Sequence, residues 1–89
     1  MITDIDKEKI QTISKRYSAK RVLLFGSSLA PEKEGRDIDI AVEGVPPKEF
    51  YRYYGDLLFA LSKSVDVIEL SGTSKFLQSI KAEGVVIYG

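Results

Sequence analysis

The run Asp37-Ile38-Asp39-Ile40-Ala41-Val42-Glu43 is the strongest constraint on what this chain can fold into. Its residues alternate, so as a strand it places Ile38, Ile40 and Val42 on one face and Asp37 and Asp39 on the other. The apolar face must pack against a core. The acidic face repels itself unless a cation bridges it, and Mg²⁺ is a hard ion that takes one or two carboxylates plus substrate phosphates. With no cysteine and no histidine in the 89 residues, thiolate and imidazole ligands are excluded, as is a histidine base. Any metal here must sit on oxygen.

A second feature lies just upstream. Arg21-Val22-Leu23-Leu24-Phe25 reads as a buried strand that ends at Gly26, where the lack of a Cβ lets backbone N–H groups approach a ligand closely. Ser27 adds a hydroxyl at the start of a short helical turn through Ser28, Leu29 and Ala30, and open N–H groups at a helix start favour anions. Gly26, Ser27 and Ser28 are therefore candidate phosphate ligands. Taken alone, a Gly-Ser pair is usually just a turn and an Asp-x-Asp a solvated strand edge; their order and separation give them weight.

Length and composition bound the rest. The chain is expected to be a single domain over residues 1–89, with one core and one site. A net charge of zero offers no basic footprint for a long polynucleotide. Neither a signal-peptide core nor a membrane-length apolar run occurs, so a cytoplasmic protein away from membranes is expected.

The element pattern predicts an α/β (α+β) domain. A Thr3-capped helix over about 4–17 turns Ile10, Ile13 and Tyr17 inward, and strands follow over about 20–25 and 37–43. The segment between them is a loop with a helical start, broken at Pro31 and closed by Gly35. A helix over about 47–63 carries an inner stripe of Phe50, Tyr54, Leu57, Leu58 and Leu61. A strand over 64–70 follows, then a helix capped by Thr73 or Ser74 with Phe76, Leu77 and Ile80 inward and Gly84 at its end, then a strand over 85–88. The first two strands are joined too briefly for a parallel crossover, which makes the four-stranded sheet mixed, with helices mainly on one face.

Two features remain. Asp66 sits among Val65, Val67 and Ile68, where a buried unpaired charge would cost several kcal/mol. Beside the second strand it would join Asp37 and Asp39 around the same metals and act as base for an incoming hydroxyl; alternatively, it simply faces solvent. Tyr51, Gly55 and Phe59 form a second helical stripe, which predicts a partner surface or homo-oligomer contact.

Leu24-Phe25-Gly26-Ser27, then Asp37-Ile38-Asp39-Ile40-Ala41-Val42, then Val65-Asp66-Val67-Ile68, resemble the minimal nucleotidyltransferases (MNT) of the DNA polymerase beta-like superfamily, over residues 8 to 88. The resemblance implies the nucleotidyltransferase fold, with Gly26 and Ser27 on nucleotide phosphates and Asp37, Asp39 and Asp66 as catalytic carboxylates holding two Mg²⁺ ions. It implies transfer of a nucleoside monophosphate, AMP from ATP, to a hydroxyl of a protein partner. Such proteins pair with helical HEPN-domain toxins as antitoxins, the partner completing a site that this small chain cannot enclose. Family members commonly follow Gly-Ser with an Arg-Ala-Arg-Gly segment, where this chain has Ser28-Leu29-Ala30-Pro31 and Lys33 or Arg36 as substitutes. That departure leaves a second expectation, a non-catalytic antitoxin with a degenerate nucleotide site.

Overall fold

Thr3 opens the first helix, α1 (Asp4–Arg16), by accepting a hydrogen bond from the Asp6 N–H at 3.1 Å, with Asp4 and Asp6 in the first turn and Lys15 and Arg16 in the last, matching the helix dipole. The computed structural model describes residues 2–29 and 37–89. After α1 come β1 (Arg21–Leu24), a 3-10 turn (Gly26–Leu29), β2 (Ile38–Glu43), α2 (Pro47–Ala60), β3 (Val65–Glu69), α3 (Lys75–Glu83) and β4 (Val85–Tyr88). The expected break at Pro31, the closure at Gly35, and Lys33 and Arg36 lie outside the described residues.

The sheet is mixed and has the order β3-β2-β1-β4. β1 is antiparallel to both β2 and β4, while β2 and β3 run parallel, as a connection containing α2 permits. One face carries Val22, Leu24, Ile38, Ile40, Val42, Val65 and Val67 into a core completed by Ile10, Ile13 and Tyr17 of α1 and by Tyr53 and Leu57 of α2. Burying each large apolar side chain there contributes about 1.5 to 3 kcal/mol. On the opposite face Leu23, Ala41 and Leu70 pack with Ile80 of α3, so two helices cover one side of the sheet and one covers part of the other.

Polar contacts fix the α1–α2 pairing. The Ser14 and Tyr53 hydroxyls, both in fully buried side chains, hydrogen-bond at 2.7 Å, and the Tyr17 ring meets Tyr53 edge-on at 5.5 Å. These contacts correct the expected inner stripe of α2. Tyr53 takes the central place with Leu57 and Leu61, Phe50 and Tyr54 are half-buried, and Leu58 is exposed. The expected end at residue 63 is also corrected, since the helix stops at Ala60 and Leu61 is extended. The buried Asp6 carboxylate accepts the Ser62 N–H at 3.2 Å and the Ser62 hydroxyl at 2.5 Å, drawing that segment out of the helix onto α1. Ser74, the second of the two expected caps, accepts from the Leu77 N–H at 3.2 Å and starts α3. Of its three expected inward residues, Ile80 is buried, Leu77 is half-buried and Phe76 is exposed.

Candidate functional site

The antiparallel pairing of β1 with β2 sets Leu24 opposite Ile40, so the end of β1 lies against the start of β2. The Phe25 N–H donates to the Asp39 carbonyl at 3.1 Å, and the chain turns immediately into the 3-10 segment at Gly26, whose φ is +59°. A Cβ at Gly26 would stand 3.0 Å from Asp39 Oδ2. Glycine is therefore required here twice over, for a left-handed backbone and for the close approach of a carboxylate.

Across the parallel pair, Asp39 is in register with Asp66, flanked by Ile38 with Val65 and by Ile40 with Val67. The flanking residues all point into the α1–α2 core, so the two aspartates share the other face of the sheet. Asp39 is half-buried and Asp66 is exposed. Asp37 is exposed and immediately precedes β2, two residues from Asp39 along the same chain. Thus β1, β2 and β3 bring Gly26, Asp39 and Asp66 together, with Asp37 at the approach to the strand. Ser27 and Ser28 lie in the 3-10 turn, and their side chains fall outside the description.

Among the described residues no three acidic, histidine or cysteine side chains close into a metal cage. Mg²⁺ needs fewer protein ligands, since one or two carboxylates suffice when substrate phosphates complete the octahedron. The adjacent carboxylates of Asp39 and Asp66, beside a turn with no Cβ in the way, fit such an ion. Their donor set is all oxygen and doubly negative.

Sequence reasoning missed a neighbouring hollow. A cavity of about 400 Å³ extends from Gly26 along α3, lined by Phe25, Leu29, Phe76, Ser79 and Glu83. Phe25 and Phe76 meet edge to face, with centroids 6.3 Å apart. The available signal was Phe76 itself, which begins a Phe76, Ser79, Glu83 series on one helical face.

The fold has known counterparts. A toxin–antitoxin MntA–HepT crystal structure contains a chain that superposes with a TM-score of 0.73 at 24% identity, covering 98% of this chain and 73% of that one. A chain in a complex of a tri-AMPylated HEPN toxin with an MNT antitoxin from Shewanella oneidensis gives a TM-score of 0.74 at 23% identity, covering 99% and 73%. A toxin–antitoxin structure with AMP-PNP gives 0.74 at 26% identity, covering 93% and 73%. No curated protein matches the sequence. Among the described residues no helix is long and apolar enough to cross a membrane. The profile described as "Polymerase beta, Nucleotidyltransferase" matches residues 8–89. With Gly26, Asp39 and Asp66 gathered on the fold of the MNT antitoxins, the chain belongs to the polymerase beta nucleotidyltransferase family.

Proposed function

We propose that this protein transfers AMP from ATP to a hydroxyl of a helical HEPN-type protein partner and acts as the antitoxin of that pair. The observation that carries the reading is the register of Asp39 with Asp66 beside Gly26. Asp39 and Asp66 are the residues that would hold Mg²⁺, with Asp37 two residues upstream at the approach to β2, and the ion would supply neutralisation of the triphosphate charge. The missing Cβ at Gly26 admits the Asp39 carboxylate, and the N–H groups at the start of the Gly26–Leu29 turn are the ones that would donate to phosphate oxygens. In the transfer, the acceptor oxygen forms a bond to the α-phosphorus while the bond to the β-phosphate oxygen breaks, and pyrophosphate leaves with the electron pair. The hydroxyl proton passes to the Asp66 carboxylate, which is exposed and so reachable by an acceptor. Holding both reactants in line is the main contribution expected of the protein.

The partner is supported by the outer stripe of α2. Tyr51 is 83% exposed and Phe59 95%, and a Cβ built on Gly55 between them meets nothing within 4 Å. A glycine in a helix interior costs about 1 kcal/mol relative to alanine, and among the described residues nothing crowds this one. Close approach of a partner helix at Gly55, flanked by two aromatic anchors, accounts for all three residues. The MntA–HepT and HEPN–MNT complexes that share this fold are assemblies of the expected kind.

The direct test is label transfer from α-labelled ATP, in Mg²⁺, to a HEPN-domain protein that binds this chain. Labelling that disappears in Asp39→Asn is expected; labelling undiminished in that variant, or no labelling at all, overturns the catalytic reading. The Ser28-Leu29-Ala30-Pro31 segment, without the arginines common in the family, favours a second reading, a non-catalytic antitoxin. Calorimetry separates the two, because that protein would bind its partner but not Mg²⁺-ATP.

A further inference from the structure

Asp6 occupies the position from which a capping-box side chain reaches back to the N–H of the capping residue. Its carboxylate goes elsewhere. Although the residue is only 2% exposed, Oδ1 accepts the N–H and Oδ2 the hydroxyl of Ser62, 56 residues further along the chain. One turn on, Lys9 donates from Nζ to the Ala60 carbonyl at 3.0 Å. α1 therefore grips the exit of α2 at two points, the last helical residue and the exposed serine beyond it. Burying a carboxylate is costly unless hydrogen bonds compensate it, and here Ser62 supplies both.

What that grip fixes is the start of β3. Only Lys63 and Ser64 separate Ser62 from the strand, and the Ser64 carbonyl accepts the Ile38 N–H at 2.8 Å. Val65 then stands opposite Ile38, and Asp66 opposite Asp39. β3 is an edge strand, and the two aspartates repel each other across the pair. We propose that Asp6 is a positioning residue: by holding Ser62 on α1 it holds the first residues of β3, and with them the Asp66 carboxylate, in place beside Asp39. The assignment rests on the reading of Asp66 as proton acceptor. It puts one determinant of the transfer rate on the α1 side of the sheet, opposite the face that carries the carboxylates.

Two measurements on the full chain test this, using Asp6→Ala and, because Ser62 is exposed and can change without disturbing the core, Ser62→Ala. In AMP transfer to a HEPN-domain protein that binds the chain, both should lower the rate at saturating ATP roughly 10-fold, within what a misplacement of about 1 Å costs. KM for ATP should stay unchanged, and Ser62→Thr, which keeps the hydroxyl, should match the wild type. In an Asp66→Asn background Ser62→Ala should cost nothing further, since the carboxylate it positions is gone. The same extra loss in that background, or a Ser62→Ala protein as fast as the wild type, overturns the proposal. In hydrogen exchange on the ligand-free chain, Ser62→Ala should speed exchange of the β3 amides roughly 10-fold, the usual effect of losing a hydrogen bond to a charged group. A lower Tm with β3 exchange unchanged would mean that the pair stabilises the fold without holding the strand, which also overturns it. A wild type that transfers no AMP, with β3 exchange still faster in Ser62→Ala, overturns the catalytic reading alone, and the anchoring of β3 by Asp6 stands.

Discussion

Asp39 and Asp66 stand side by side in register across the parallel β2–β3 pair, one half-buried and one exposed. Two like charges facing each other across strands are destabilising, by up to about 1 kcal/mol relative to neutral partners. Asp66→Asn should therefore leave thermal stability unchanged or slightly raised, while lowering the proposed AMP transfer by at least about 100-fold through loss of the proposed proton acceptor. Thermal melting and label transfer on the same preparation check both. A clear loss of stability would mean that Asp66 is a structural residue.

Gly26→Ala tests the turn. The new methyl group meets Asp39 Oδ2 at 3.0 Å and must adopt a φ of +59°, which costs an alanine about 1 to 2 kcal/mol. Moderate destabilisation is expected in denaturant titrations, together with a larger loss of tripolyphosphate binding in Mg²⁺, because the carboxylate displaced is one proposed to hold the ion.

Tyr53 gives the fold a marker at alkaline pH. Burial pushes its hydroxyl up from 10.0 to about 12, offset in part by the hydrogen bond with Ser14. The folded chain thus holds this proton more tightly than the unfolded chain, so the contribution is complete below pH 10 and is lost as pH rises from about 10 to 12. At about 1.4 kcal/mol per unit, it amounts to roughly 2 to 3 kcal/mol. Tyr53→Phe should flatten the fall in stability over that range. At neutral pH it should cost about 1 to 2 kcal/mol, because the Ser14 hydroxyl is left buried without its partner. Tyr17 is also raised, first by its hydrogen bond to Asp56, and persists in the variant as an internal control.

At Gly55 stability and binding should move in opposite directions. Gly55→Ala fills open space on an exposed helix face, so it should stabilise the isolated chain by about 0.5 to 1 kcal/mol, a rise of several degrees in Tm. The same methyl group should weaken partner binding about 10-fold or more if a helix crosses there. Calorimetry against the HEPN-type partner reads the second effect; undiminished binding would move the interface elsewhere.

Much of this architecture was legible because its signals are local. The Asp37–Glu43 alternation placed β2, the Thr3 and Ser74 caps placed α1 and α3, and the brief link between β1 and β2 implied their antiparallel pairing. The phase of α2 was not legible in detail, because Phe50-Tyr51-Arg52-Tyr53-Tyr54 offers an apolar side chain in nearly every direction. Its rotation is chosen by polar partners distant in sequence, Ser14 for the Tyr53 hydroxyl and Asp56 for that of Tyr17. The cavity beside Gly26 was hidden for a similar reason, since Phe25 and Phe76 become neighbours only when α3 packs across the sheet.

The strand order divides the site between unequal supports. β2, which carries Asp39, is bonded on both sides, whereas β3, which carries Asp66, forms the edge of the sheet. Edge strands open by local fluctuation at lower free energy than central ones, so amide hydrogens in β3 should exchange with solvent sooner than those in β2. Each such opening would carry one carboxylate away from the other without unfolding the domain. The working lifetime of the paired aspartates is then set by the fraying of β3, and a bound partner that braces that edge would lengthen it without touching either side chain.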